Sequence, residues 1–149
     1  MVRMVGAVIA SYVLLFILIF CLLTGLYTAL GADGAFQPGT YHLSTTWLVA
    51  ATVLGFVAAM IGGFVSNLIA PGTQASTVLA GVVVALGLLF AMPTLKDARL
   101  DPDLRPPNVA MMEAMGKAKQ PPAVALGSPV LGAVAVLIGG RLRRSGAGR

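Results

Sequence analysis

The stretch WLVAATVLGFVAAMIGGFVSNLI, residues 47 to 69, holds no Asp, Glu, Lys, Arg or His. An α-helix rises ~1.5 Å per residue and the hydrocarbon core of a bilayer is ~30 Å thick, so about 20 such residues cross it. Residues 5 to 30, 73 to 92 and 123 to 140 are equally free of charge. The first and second stretches exceed the required length, the third meets it, and the fourth is marginal. The sequence therefore predicts an all-α integral membrane protein: one domain over residues 1 to 149, built as a bundle of four spans.

All ten Lys and Arg and all five acids fall in the tails and connections, and charged residues make up only 10% of the chain against 58% hydrophobic. A bilayer enforces such segregation, because a charge at its centre costs several kcal/mol. The net charge of +5 thus describes the rims of the molecule. It is not accompanied by the basic, aromatic surface that binds nucleic acid, so the expected surroundings are the lipid bilayer and a membrane-protein partner or further copies of the chain. The lone Cys21 cannot form an internal disulfide and reads as a small packed hydrophobe. Residues 5 to 30 are too long for the ~7–15-residue core of a cleaved signal, so they read as a retained span.

Within residues 47 to 69, Ala51, Gly55, Ala59 and Gly63 recur every four positions, with Gly62 alongside. Residues four apart share a helix face, so they lay a shallow groove that lets another backbone come close. These five residues are the expected helix-packing interface. Ser66, Asn67 and Thr77 are the polar residues of the second and third spans that could line a solute path or hydrogen-bond between helices.

Gly31-Ala32-Asp33-Gly34 and Gln37-Pro38-Gly39 stop the first span. Tyr41, His42 and Trp47 then read as rings that settle at the headgroup level, and Arg141, Arg143 and Arg144 as the cationic anchor of the fourth span. Pro71-Gly72 turns the chain, Thr73 caps the third span, and the connection is so short that the second and third spans form an antiparallel hairpin. Pro93 is expected to end the third span. Residues 93 to 122 form a polar loop. Within it Asn108 caps a short amphipathic surface helix, Val109 to about Lys119, which closes before Pro121-Pro122. The fourth span carries Pro129 and reads as a packed, kinked inner helix followed by a basic tail, 141 to 149.

With four spans, both tails and the 70 to 73 turn share a side. Arg3, Arg141, Arg143, Arg144 and Arg149 lie there; Lys96, Arg99, Arg105, Lys117 and Lys119 lie opposite. The tally is even, but the first loop, 31 to 46, has no Lys or Arg, whereas the arginine cluster abuts its span. This places both termini in the cytoplasm.

Chemistry is sparse. No span carries an ionisable residue, which disfavours proton-coupled transport and voltage sensing. Met111, Met112 and Met115, with Met92 and His42 on the same predicted face of the membrane, could suit copper(I), but no ligand spacing repeats, and the methionines read as the apolar face of the surface helix. Asp97, Asp101, Asp103 and Glu113 are interleaved with Lys96, Arg99 and Arg105, the pattern of a solvated loop. There is no HExxH, GxSxG, phosphate-binding glycine loop or CxxC. No enzyme activity, cofactor or metal is expected.

Met60-Ile61-Gly62-Gly63-Phe64-Val65, Asn67-Leu68-Ile69-Ala70, and Leu131-Gly132-Ala133 through Gly139-Gly140-Arg141-Leu142-Arg143 are similar in style to small bacterial four-helix membrane proteins of unknown function. This compositional resemblance covers about the helical two-thirds of the chain. It implies a bacterial inner-membrane location and no activity. Small drug-exporting four-helix proteins are similar in size alone, since their intramembrane carboxylate has no counterpart here. The expected role is structural or accessory, by packing against itself or a larger membrane complex. The alternatives are a passive pore or carrier for a small neutral or lipophilic solute and, behind that, a holin-like lesion former.

Overall fold

The computed structural model describes residues 1 to 97, 104 to 106 and 109 to 146. It is all-helical: α1 (Val2–Ala35), α2 (Thr45–Ile69), α3 (Ala75–Asp97), α4 (Met111–Gly116) and α5 (Pro122–Gly146). Four of these are long and apolar enough to cross a membrane: Val2–Ala35, Thr45–Ile69, Ala75–Pro93 and Pro122–Arg143. This is the architecture of a multi-pass membrane protein.

Every long helix passes its sequence-predicted bounds at one end or both, for local reasons, although α3 starts at Ala75, two residues later than expected. α1 breaks at Gly31, whose φ of 67° and ψ of 179° are open to glycine at little cost, and then makes one more turn to Ala35. α2 starts at Thr45 because the Ser44 hydroxyl accepts a hydrogen bond from the Trp47 amide at 3.1 Å. At the start of α3 the Thr73 hydroxyl accepts from the Ala75 amide at 3.3 Å. Pro93 does not end α3, which continues to Asp97. Proline removes one donor, the one aimed at the carbonyl four residues earlier, but residues beyond it still donate their own amides. α5 likewise runs through the arginines to Gly146.

The surface helix is shorter than expected, six residues in place of Val109 to Lys119. Its expected cap, Asn108, lies outside the described residues, as do Asp101 and Asp103 and the side chains of Lys96, Asp97 and Arg144.

The hairpin reading needs a refinement. α2 and α3 are joined by only a few residues, yet each packs most extensively against α5, which sits between them. α1 packs on α2 and only lightly on α3. Two buried clusters result. One gathers Ala7, Val8, Leu15, Ala59, Ala70, Ala75, Leu79 and Val136 at the end of the bundle nearest the termini. The other gathers Tyr27, Phe36, Tyr41, Leu43, Trp47 and Ala114 beneath the opposite cap.

Candidate functional site

The five small residues of α2 face into their own bundle. A Cβ on Gly63 would overlap the Val136 carbonyl of α5, and one on Gly139 of α5 would overlap the Met60 carbonyl of α2. The two backbones therefore touch reciprocally, as small residues permit. A Cβ on Gly62 would lie 3.1 Å from Leu15 of α1. Ala59 is buried, and Ala51 and Gly55 line a cavity at the bundle centre. The groove that the sequence offered to a partner is thus filled from within the same chain, by α5 and α1.

The proposed polar path is not assembled. Ser66 and Asn67 are buried, but Thr77 is exposed on the outer side of α3, and its neighbour Ser76 is the residue turned inward. Asn67 Nδ2 donates to the Gly140 carbonyl at 2.8 Å, and a Cβ on Gly140 would lie 2.6 Å from Ser76 Oγ. Glycine at position 140 lets α2, α3 and α5 meet at one polar point. Ser11 Oγ, Ser66 Oγ and Asn67 Oδ1 are buried without a hydrogen-bond partner among the described residues. A buried hydroxyl without a partner gains no hydrogen bond to offset the water it gave up.

The headgroup-level rings divide. Tyr41 and Trp47 are each 3% exposed and lie inside the cap, not at its surface, whereas His42 is exposed. Trp47 meets Tyr27 edge-on at 6.1 Å and Tyr41 meets Phe36 at 6.4 Å, the geometry aromatic quadrupoles prefer.

The cap is stitched by backbone pairing. Arg105 N donates to the Gly39 carbonyl at 2.9 Å, Leu43 N to Lys119 O at 3.0 Å and Lys119 N to Tyr41 O at 2.8 Å. The Arg105 side chain, buried over the Phe36 ring at 5.5 Å, reaches Asp33 at 3.0 Å. Lys117 pairs with Glu113 at 3.0 Å and lies 5.6 Å from the Tyr41 ring centre. Sequence reading missed this strap between two polar connections. Its only signal was the aromatic density of residues 36 to 47, which equally suits a lipid interface.

Of the arginines at the other end, Arg141 is exposed and Arg143 half-buried; Arg3 Nε donates to the Ile69 carbonyl at 3.1 Å, tying α1 to the end of α2. Cys21 is exposed on α1. Among the described residues no three His, Cys, Asp or Glu side chains gather around a common point.

Beneath the cap the helices leave two adjoining, half-open apolar pockets. A central cavity of about 330 Å³ runs along Ala51, Gly55 and Ala59, with Thr52, Gln120 and Ser128 as its polar lining. Beside it a cleft of about 350 Å³ lies between α1 and α3, roofed by Met111, Met112 and Met115 of α4. Leu15, Ile19, Leu23, Val83 and Gly87 border both. The arrangement offers apolar space with few polar groups along it. No protein-family model matches the chain, and no curated protein or solved structure matches it.

Proposed function

We propose that the chain is a small polytopic protein of the bacterial inner membrane, with both termini cytoplasmic, in a structural or accessory role. It would pack against itself or a larger membrane complex. The carrying observation is where its apolar surface lies. The small-residue stripe of α2 is used within the bundle; α1, the most lightly packed of the long helices, exposes Val5, Ile9, Val13 and Ile17 at four-residue spacing, as α2 exposes Val49, Val53, Val57 and Ile61 on its outer side. The outer face of α1 is then the surface through which assembly proceeds, driven in lipid by close packing.

Cys21 continues that same spacing and is exposed, so the single native thiol reports on assembly. In membranes a short bismaleimide should join two copies, or this chain to its partner, through Cys21. A chain that stays uncrosslinked while a monofunctional maleimide modifies Cys21 completely would reject the reading.

One observation favours a second reading, a passive carrier for a lipophilic solute. Outward-facing Thr77 deprives a hydrophilic path of its lining, but the apolar cavities offer space to a greasy one. Flux of such a solute in reconstituted vesicles tests it.

A further inference from the structure

We propose that the end of the bundle nearest the termini binds the phosphodiester headgroup of an anionic phospholipid, with Arg3 of α1 and Arg141 of α5 as its cations. The inference rests on the membrane location proposed above and not on assembly through α1.

Charge is divided unequally along the chain. Lys96, Arg99, Arg105, Lys117 and Lys119 are matched in number by Asp33, Asp97, Asp101, Asp103 and Glu113, so the whole net charge of +5 comes from Arg3, Arg141, Arg143, Arg144 and Arg149. Residues 1 to 32, 34 to 96 and 114 to 149 contain no Asp or Glu. The start of α1, the end of α2, the start of α3 and the end of α5 therefore bring arginines to this end and no acidic side chain to offset them. Such an end is drawn to an anionic leaflet, each cation adding to the attraction.

Two hydrogen bonds to the last turn of α2 gather the cations. Arg3 Nε donates to the Ile69 carbonyl at 3.1 Å, and Asn67 Nδ2 donates to the carbonyl of Gly140, the residue before Arg141, at 2.8 Å. Arg3 and Arg141 are both exposed. Carbonyls at a helix C-terminus carry partial negative charge, which is why a cation is held there. A guanidinium has five N–H donors, and Arg3 spends the Nε–H on α2. That bond fixes the plane of the group and leaves its Nη edge, whose two parallel N–H groups match two oxygens of one phosphate.

The surroundings select a lipid over an acidic protein segment. Val2, Leu68 and Leu142, the sequence neighbours of Arg3, Ile69 and Arg141, are 88%, 50% and 55% exposed. Cationic and apolar side chains thus adjoin at the ends of helices long and apolar enough to cross a membrane. An amphiphile covers both, its headgroup on the guanidinium groups and its acyl chains on the apolar side chains. A soluble acidic peptide would leave Val2 and Leu142 in water.

The test extracts the full chain from vesicles of phosphatidylglycerol and phosphatidylcholine in equal amounts, with identical acyl chains, and counts the retained lipid by native mass spectrometry. The parent chain should retain phosphatidylglycerol in preference by roughly tenfold, as several cations near one anionic headgroup imply. Arg3→Gln and, separately, Arg141→Gln should each cut that preference roughly fivefold, the loss of one cation at an anionic surface. Arg3→Lys keeps the charge without the planar fork and should remain roughly threefold below the parent. Lys117→Gln, which removes a cation from the balanced end, should leave the preference unchanged.

Equal retention of the two lipids, full preference in Arg3→Lys, or a loss in Lys117→Gln as large as in Arg3→Gln would each overturn the site. So would displacement of the lipid by excess inorganic phosphate or by an equal concentration of an acidic peptide. Arg3 and Arg141 lie on different helices, so a variant that fails to fold at one position leaves the other to decide. A parent chain that does not enter vesicles rejects the membrane reading as well, whereas one that enters without a lipid preference rejects this site alone.

Discussion

The two ends of the bundle use the same kind of residue to opposite effect. Near the termini, Gly63 of α2 faces the Val136 carbonyl of α5, Gly139 of α5 faces the Met60 carbonyl of α2, and the backbones touch; beneath the cap, Gly55 of the same stripe has nothing within 4 Å of its would-be Cβ and borders a cavity. Small residues permit close approach but do not compel it. Contact needs the partner's backbone to lie directly opposite, as that of Val136 does at Gly63 and that of Met60 at Gly139. At the other end α5 presents Pro129, whose ring lies 2.6 Å from a Cβ built on Gly87 of α3. The ring fills the α3 side of α5 and leaves α2 unfilled.

That contrast breaks most sharply at two glycines. Gly63→Leu should cost about 3 kcal/mol or more, at the top of the over-packing range, because backbone opposes the new side chain and cannot rotate away. Gly139→Leu should match it. Gly55→Leu enters a cavity and should stay within about 0.5 kcal/mol of the parent chain, as substitutions that meet no neighbour do. Unfolding by titration with a denaturing detergent in mixed micelles compares all three, and equal losses at Gly55 and Gly63 would erase the distinction between the ends.

The cap offers the next test. Arg105→Met removes a cation stacked on Phe36 in a buried setting, an interaction worth up to ~2 kcal/mol, so amides of Phe36 to Ser44 should exchange about tenfold faster. Asp33 is fully exposed, so solvent screens its ion pair, and most of the change should follow the lost packing on the ring. Exchange in Ala58 to Asn67 should not move.

Smaller effects probe the polar node. Asn67→Leu deletes the bond to the Gly140 carbonyl and should cost about 1 kcal/mol, within the ~0.6–2 kcal/mol span of interhelical hydrogen bonds in membranes. Ser11→Ala and Ser66→Ala remove hydroxyls that make no bond and should be neutral or stabilising by about 0.5 kcal/mol. A loss from either serine, measured in the same titration, would mean that its hydroxyl is paired.

Much of this fold was legible because it depends on runs and not on contacts. The absence of charge over residues 5 to 30, 47 to 69, 73 to 92 and 123 to 140 locates the long helices, and Pro71-Gly72 and the Gly31 to Gly39 breakers locate two turns. Helix ends were less legible, since Ser44 caps α2 through a local hydrogen bond and α3 and α5 continue through Pro93 and the Arg141 cluster, none of which composition encodes. The candidate site was least legible. A four-residue stripe fixes which residues share a face, but Ala51, Gly55, Ala59, Gly62 and Gly63 read the same whether α5 or another molecule lies against them. Tyr41 and Trp47 illustrate the same ambiguity, because a ring suited to an interface is equally suited to a buried aromatic cluster.

By itself, then, the sequence determined the number and apolar character of the long helices, because the hydrophobic cost of a segment is summed over its own residues and needs no neighbour. Only the tertiary structure decided that α5 lies between α2 and α3, that the small-residue groove is already filled, and that two half-open pockets lie beneath the cap. Those outcomes depend on how the volumes of residues far apart in the chain match when brought together, as with Gly63 and Val136 or Gly87 and Pro129, and no single segment carries that information.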